Sequence, residues 1–226
     1  MPESTETTKR AVRYEAVVLD YDGLLMDTEG AWEKGEAELL AGYGHAYTRE
    51  DRIRLLGVGA ADAGRIISDI LGQPERSGEL LAELQDICRV IVAAEAQPMP
   101  GAVKLLRSLY GNVPLAVASN SPTDLVVDVL GGAGMLGYFD TVLGDHDVEN
   151  AKPAPDLYLG ACERLGVRPE RSLALEDSPT GVRAAKSAGM RVLGIPSEPG
   201  VALEAHAVYP SLADEGVVRE VFAAAP

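Results

Sequence analysis

Four short apolar runs fix most of what this chain can become. They are Glu15–Asp20 (E-A-V-V-L-D), Val113–Ala118 (V-P-L-A-V-A), Ser172–Leu175 (S-L-A-L) and Arg191–Ile195 (R-V-L-G-I), with Thr141–Leu143 a shorter fifth. Their residues are apolar on both faces of an extended chain, and helical patterns separate them. That combination predicts parallel strands buried between helices. The intervening helices are expected over Gly101–Tyr110, Ser121–Leu130, Pro155–Leu165 and Pro179–Ala188, the last three with a proline in the first turn, where it is tolerated. The fold class is therefore α/β, with right-handed crossovers and a ligand at the carboxyl ends of the strands.

One stretch breaks the alternation. Between Leu24 and Pro98 there is no convincing strand, only helical periodicity, clearest in Leu80, Leu81, Leu84, Ile87, Cys88, Ile91 and Val92. Ala31–Leu40 and Asp62–Leu71 are weaker helices, and Gln97-Pro98-Met99-Pro100-Gly101 reads as a stiff linker. The economical division is an α/β core, residues 1–23 and 99–226, with an all-helical module, residues 24–98, inserted after the first strand.

Charge narrows the function. Against 35 Asp and Glu stand 20 Lys and Arg, a formal net charge of −15. Nucleic-acid binding relies on clustered cations, so it is excluded as an expectation. Any anion must be held locally, by a metal ion or a few placed cations. Cys88 and Cys162, far apart, read as buried thiols. No apolar run reaches the ~18 residues of a membrane span, and residues 1–13 lack a signal-peptide core. The expectation is a cytoplasmic protein with no membrane partner, a monomer or small homo-oligomer.

The first strand runs into Asp20-Tyr21-Asp22-Gly23. A D-x-D means little alone, and the chain holds another at Asp145-His146-Asp147. Position raises the first: a carboxylate at the end of a buried strand has no structural reason to be there. Residues i and i+2 project to one side, so both acids can face one ligand. Ser119-Asn120-Ser121 follows the second strand and offers a hydroxyl and backbone N–H groups at a helix start, a natural phosphate cradle. Glu176-Asp177-Ser178 puts two acids at another strand end, and Lys152, one of five lysines, precedes a helix. Together these form a hard-cation site beside a phosphate-sized anion pocket. Asp20 and Asp177, with the main-chain carbonyl of Asp22, suit Mg²⁺, and Glu176 reaches the metal through water or positions Asp177. Asp20 is then the nucleophile, Asp22 the acid and base, and Lys152 with Ser119 and Asn120 the phosphate-binding set.

The segments D-Y-D-G-L-L-M-D-T-E (20–29), P-M-P-G-A-V-K-L-L (98–106), S-N-S (119–121), K-P-A-P-D-L-Y (152–158) and E-D-S-P-T-G-V-R-A-A (176–185) resemble those of the haloacid dehalogenase superfamily, in the branch with a helical cap after the first motif. The resemblance implies a Rossmann-like core with a mobile cap closing over the substrate. It places the nucleophile on Asp20, acid/base on Asp22, phosphate contacts on Ser119 and Lys152, and the metal on Glu176 and Asp177. The acid at Asp22 favours phosphoryl transfer over dehalogenation. Where β-phosphoglucomutases set basic residues around the glycine of a cap loop, this chain has Leu56 and Ala60. The implied activity is Mg²⁺-dependent hydrolysis of a small phosphorylated metabolite through an aspartyl-phosphate. A phosphosugar mutase is the alternative, and a retired binding protein is opposed by the intact acids. Gly57, Val58, Gly59 and Ala60 form the expected specificity loop. Trp32 is read as packing, His146 as a surface residue, and Arg49, Arg52, Arg54 and Arg65 as solvated helix charges. Thr28 and Glu29 lie at the hinge.

Overall fold

The computed structural model describes residues 12–55, 58, 60–197 and 200–222. Five parallel pairings build a six-stranded sheet in the order β5-β4-β1-β6-β7-β8. The strands are β1 (Val17–Leu19), β4 (Leu115–Ala118), β5 (Thr141–Leu143), β6 (Leu173–Glu176), β7 (Arg191–Gly194) and β8 (Ala207–Val208). Their alternation sorts the core into two layers. Val17, Leu19, Leu115, Val117, Leu173 and Leu175 face one side. Helices α5 (Ala102–Leu109), α6 (Thr123–Gly132) and α9 (Glu215–Phe222) cover them with Leu105, Leu106, Leu125, Val126, Val217 and Val221. On the other face Val18, Ala116, Ala118 and Ala174 meet α7 (Asp156–Leu165) and α8 (Pro179–Ser187) through Ala161, Ala184 and Ala185. Small residues on both partners let these two helices lie close to the sheet.

The five expected strands are present within a residue or two. The helix expected from Ser121 instead starts at Thr123, with Pro122 extended at its N-cap. That leaves Ser119, Asn120 and Ser121 as a loop. At α8 the start is as read: Pro179 opens the helix and Ser178 Oγ accepts the Gly181 N–H at 3.0 Å. Two short elements in the core, β8 and α9, are additions to the sequence reading.

Between β1 and α5 lie α1 (Glu29–Gly42), α2 (Arg49–Leu55), α3 (Ala60–Ile70) and α4 (Ser77–Glu95). They close over an apolar cluster of their own, including Leu39, Leu40, Leu55, Ile67, Leu80, Leu84 and Cys88. Both cysteines are free and buried. One expectation is corrected here. The stretch to Pro98 is not free of strands: β2 (Met26–Asp27) pairs antiparallel with β3 (Gln97–Pro98), and Met99 N–H adds a bond to Leu25 O at 2.9 Å. The predicted linker is thus half of a ribbon joining the two crossings. Among the described residues no helix is long and apolar enough to cross a membrane.

The helical unit depends on close approach of α1 and α4. A Cβ at Gly35 would sit 2.3 Å from Cys88 Sγ. Gly35→Val is expected to cost about 1–3 kcal/mol of stability by overpacking. Urea denaturation followed through Trp32, the single tryptophan, measures it; a variant as stable as the parent would show that the helices can part freely.

Candidate active site

The carboxyl ends of β1, β4 and β6 converge on one cleft of about 230 Å³ between the sheet and the helical unit. Asp20 follows β1, where its N–H continues the ladder to Leu175 O at 3.0 Å. Asp177 follows β6, and Gly23 turns the chain back between them. Gly23 has φ +72°, and a Cβ there would lie 2.3 Å from Asp177 Oδ2, so glycine is required on both counts.

Lys152 ties these ends together. It is buried, its ammonium donating to Asp20 Oδ1 and, at 2.5 Å, to Glu176 Oε1. Its backbone is clamped by the Asn120 side chain, whose Oδ1 accepts the Lys152 N–H at 2.8 Å and whose Nδ2 donates to the Lys152 carbonyl at 3.2 Å. Burial pulls the ammonium's pKa down, but Asp20 and Glu176 more than offset it, so Lys152 is held protonated. Glu176 is fully buried and saturated. Its Oε1 also accepts the Tyr158 hydroxyl at 2.6 Å, and its Oε2 accepts Asp177 N–H, Ser178 N–H and Ser178 Oγ at 3.1–3.3 Å. The carboxylate is seated on Gly181, where a Cβ would fall 1.8 Å from Oε1.

Asp20, Glu176 and Asp177 each bring an oxygen within 4.8 Å of the others. Three carboxylates face one ammonium, a surplus of two negative charges in a buried place when all three are ionised. Burial raises the pKa of Asp20, with Glu176 and Asp177 adding to the rise and Lys152 opposing it. Burial, then Glu176, pushes Asp177 up to about 7. An all-oxygen donor set with that surplus fits a hard divalent cation such as Mg²⁺. Asp22 lies apart from this cluster. Its Oδ1 accepts Thr28 Oγ1 at 2.7 Å and Trp32 Nε1 at 3.3 Å, and its Oδ2 accepts Ser119 Oγ at 3.0 Å and Ser121 Oγ at 2.7 Å.

The structure brings Asp20, Asp22, Asn120, Lys152 and Asp177 to the cleft wall. Ser119 is fully buried behind them, its Oγ accepting the Ser121 N–H at 2.9 Å while donating to Asp22; Ser121 faces the cleft instead. Of the expected specificity loop, Val58 lines the cleft; Gly57, Gly59 and the Ala60 side chain lie outside the described residues. His146 is exposed. Trp32 packs as expected but also reaches Asp22, and Arg52 lines the cleft rather than only solvent. Tyr158, given no role from the sequence, binds Glu176, while Thr28 from the hinge, Trp32 from the packing and Ser121 from the 119–121 cradle all donate to Asp22.

Two measurements follow from this geometry. Tyr158→Phe removes one of Glu176's donors and is expected to cost about 1–2 kcal/mol in urea denaturation; an unchanged midpoint would mean that the hydroxyl contributes nothing. Asp177, raised from 3.8 to about 7 in the folded chain, favours folding fully below pH 4, and that contribution is lost as pH rises through 7. Metal-free protein should therefore lose thermal stability from pH 5 to 8. Mg²⁺, which takes the ionised form, should raise the melting temperature more at pH 8 than at pH 5. An equal increment at both would contradict this.

Comparison with known proteins agrees with the geometry. Residues 14–189 match the family model for haloacid dehalogenase-like hydrolases. The chain is 39% identical to the "Probable pseudouridine-5'-phosphatase" of Drosophila melanogaster, covering 87% of this chain and 89% of that protein. It is 32% identical to the fructose-1-phosphate phosphatase of Escherichia coli K12, over 81% and 97% of the respective chains. Among solved structures, CbbY of Rhodobacter sphaeroides, a mutant in complex with xylulose-(1,5)bisphosphate, superposes with a TM-score of 0.79 at 27% identity, covering 90% of this chain and 96% of that one. The chain belongs to the haloacid dehalogenase-like hydrolases.

Proposed function

We propose that this phosphatase hydrolyses the phosphate monoester of a small metabolite, through an aspartyl-phosphate on Asp20. The observation that carries the reading is the buried Asp20–Lys152–Glu176 arrangement beside Asp177, at the bottom of a cleft of metabolite size. Asp20 and Asp177 would hold Mg²⁺, which when bound offsets the surplus carboxylate charge and that of the phosphoryl oxygens. Glu176, with its oxygens already taken by five donors, suits a role in fixing Lys152 and the 177–178 backbone. Asp20 attacks phosphorus with its other oxygen. Lys152 and the backbone N–H of Asn120 take the charge that develops on the phosphoryl oxygens. Asp22 protonates the departing alkoxide and later takes the proton of the water that cleaves the acyl phosphate. Residues 24–98 serve as a cap that excludes bulk water. The relatives named for pseudouridine-5'-phosphate and fructose-1-phosphate point to a sugar-phosphate or nucleoside-type monoester.

The test is steady release of phosphate from p-nitrophenyl phosphate with Mg²⁺. Asp20→Asn should lower kcat by at least about 10³-fold, and EDTA should abolish turnover, with Mg²⁺ restoring it. Turnover that survives Asp20→Asn would remove the aspartyl-phosphate. Isomerisation of a sugar phosphate without phosphate release would replace the hydrolase with a mutase.

A further inference from the structure

The wall of the cleft opposite Asp20 is built by the helical unit, and its charges set a constraint of their own. Glu33 and Glu36 lie three residues apart on one face of α1, and Tyr47 and Arg52 come from the chain that follows. Arg52 Nε donates to Glu33 Oε2 at 3.0 Å, and the Tyr47 hydroxyl donates to Glu36 Oε2 at 2.6 Å. Two carboxylates thus stand against one guanidinium, and that guanidinium already answers one of them. Burial raises the Glu36 carboxyl above the usual range and Glu33 adds to the rise, against the Tyr47 hydrogen bond and the charge of Arg52. A further anion placed beside this wall meets two carboxylates against the single positive charge of Arg52.

What the wall offers is acceptance. A carboxylate accepts from about four directions, so Glu33 and Glu36 can take hydroxyl donors in addition to the bonds they hold. Trp32, on the same helix and in the same cleft, adds a flat apolar surface for the carbon face of a ring.

We infer that this wall selects the alcohol part of the substrate: an uncharged, hydroxyl-bearing group whose donors are taken by Glu33 and Glu36, with a second phosphate refused. The inference rests on the phosphomonoester reading of the same cleft. It separates this chain from the bisphosphate complex of its structural relative, which the shared fold alone does not.

The experiment pairs fructose 1-phosphate with fructose 1,6-bisphosphate at fixed ionic strength in Mg²⁺. The monophosphate should have the higher kcat/KM by on the order of 100-fold. The charge-removing Glu33→Gln/Glu36→Gln protein should narrow that ratio at least about tenfold. Equal rates for the two sugars, or a ratio the double substitution leaves in place, would overturn the inference. Calorimetric binding of both sugars to Asp20→Asn protein reads the same preference without turnover. Selective binding of the monophosphate, with a parent protein that hydrolyses nothing, would uphold this inference and sink the hydrolase. Steady p-nitrophenyl phosphate turnover with tighter bisphosphate binding would do the reverse.

Discussion

The whole site hangs on one buried ammonium. Lys152 reaches across from the loop before α7 to the ends of β1 and β6, and the side chain of Asn120 fixes its backbone to the end of β4. An ion so placed gives up its hydration, which only well-made hydrogen bonds to opposite charges can offset. Here the offset comes from Asp20 and Glu176, and Tyr158 supports it twice. Its hydroxyl binds Glu176, and its ring lies 5.0 Å from the ammonium. Removing the cation would leave the buried Asp20 and Glu176 without their counter-charge, a change that costs about 3–5 kcal/mol in buried pairs generally. The bonds that place the charged groups of the cleft and those that hold the strand ends together are therefore the same set.

The sheet explains why these groups meet where they do. β1 has β4 on one side and β6 on the other, so the connections leaving its neighbours diverge and open a crevice at the carboxyl ends. Parallel strands deliver every such end to the same edge. The chain then needs only a polar residue or two after each apolar run to assemble a site. The alanine-rich face under α7 and α8 has a further effect. It lets α7 lie near enough for Tyr158 to reach Glu176, and α8 near enough for Gly181 to seat the same carboxylate.

That economy is also why much of the molecule was legible beforehand. A continuous apolar run followed by Asp20, or by Glu176 and Asp177, carries both the strand and the chemistry in adjacent letters. What escaped reading depends on contacts between distant segments. β2 and β3 have two residues each, too few for a period to exist, and their pairing is visible only once both crossings are placed. Tyr158 reads as one more apolar position of α7 until the helix lies on the sheet. Thr28 and Trp32 likewise touch Asp22 only because the helical unit stands over β1. Ser119 and Ser121 are equivalent in sequence pattern; the start of α6 at Thr123 decides which one faces the cleft.

The β2–β3 ribbon has a consequence for how such a molecule can change. Because the two covalent crossings leave the core side by side and bond to each other, the core perceives everything between them as a single excursion that begins and ends at one spot. The entropy of closing such an excursion grows only slowly with its length. The helices it contains can be lengthened, replaced or re-lined without altering the strand order or the reach of Lys152. A lineage can therefore keep the sheet-side floor of the cleft and exchange the roof above it, making the two walls separately heritable parts of the same chain.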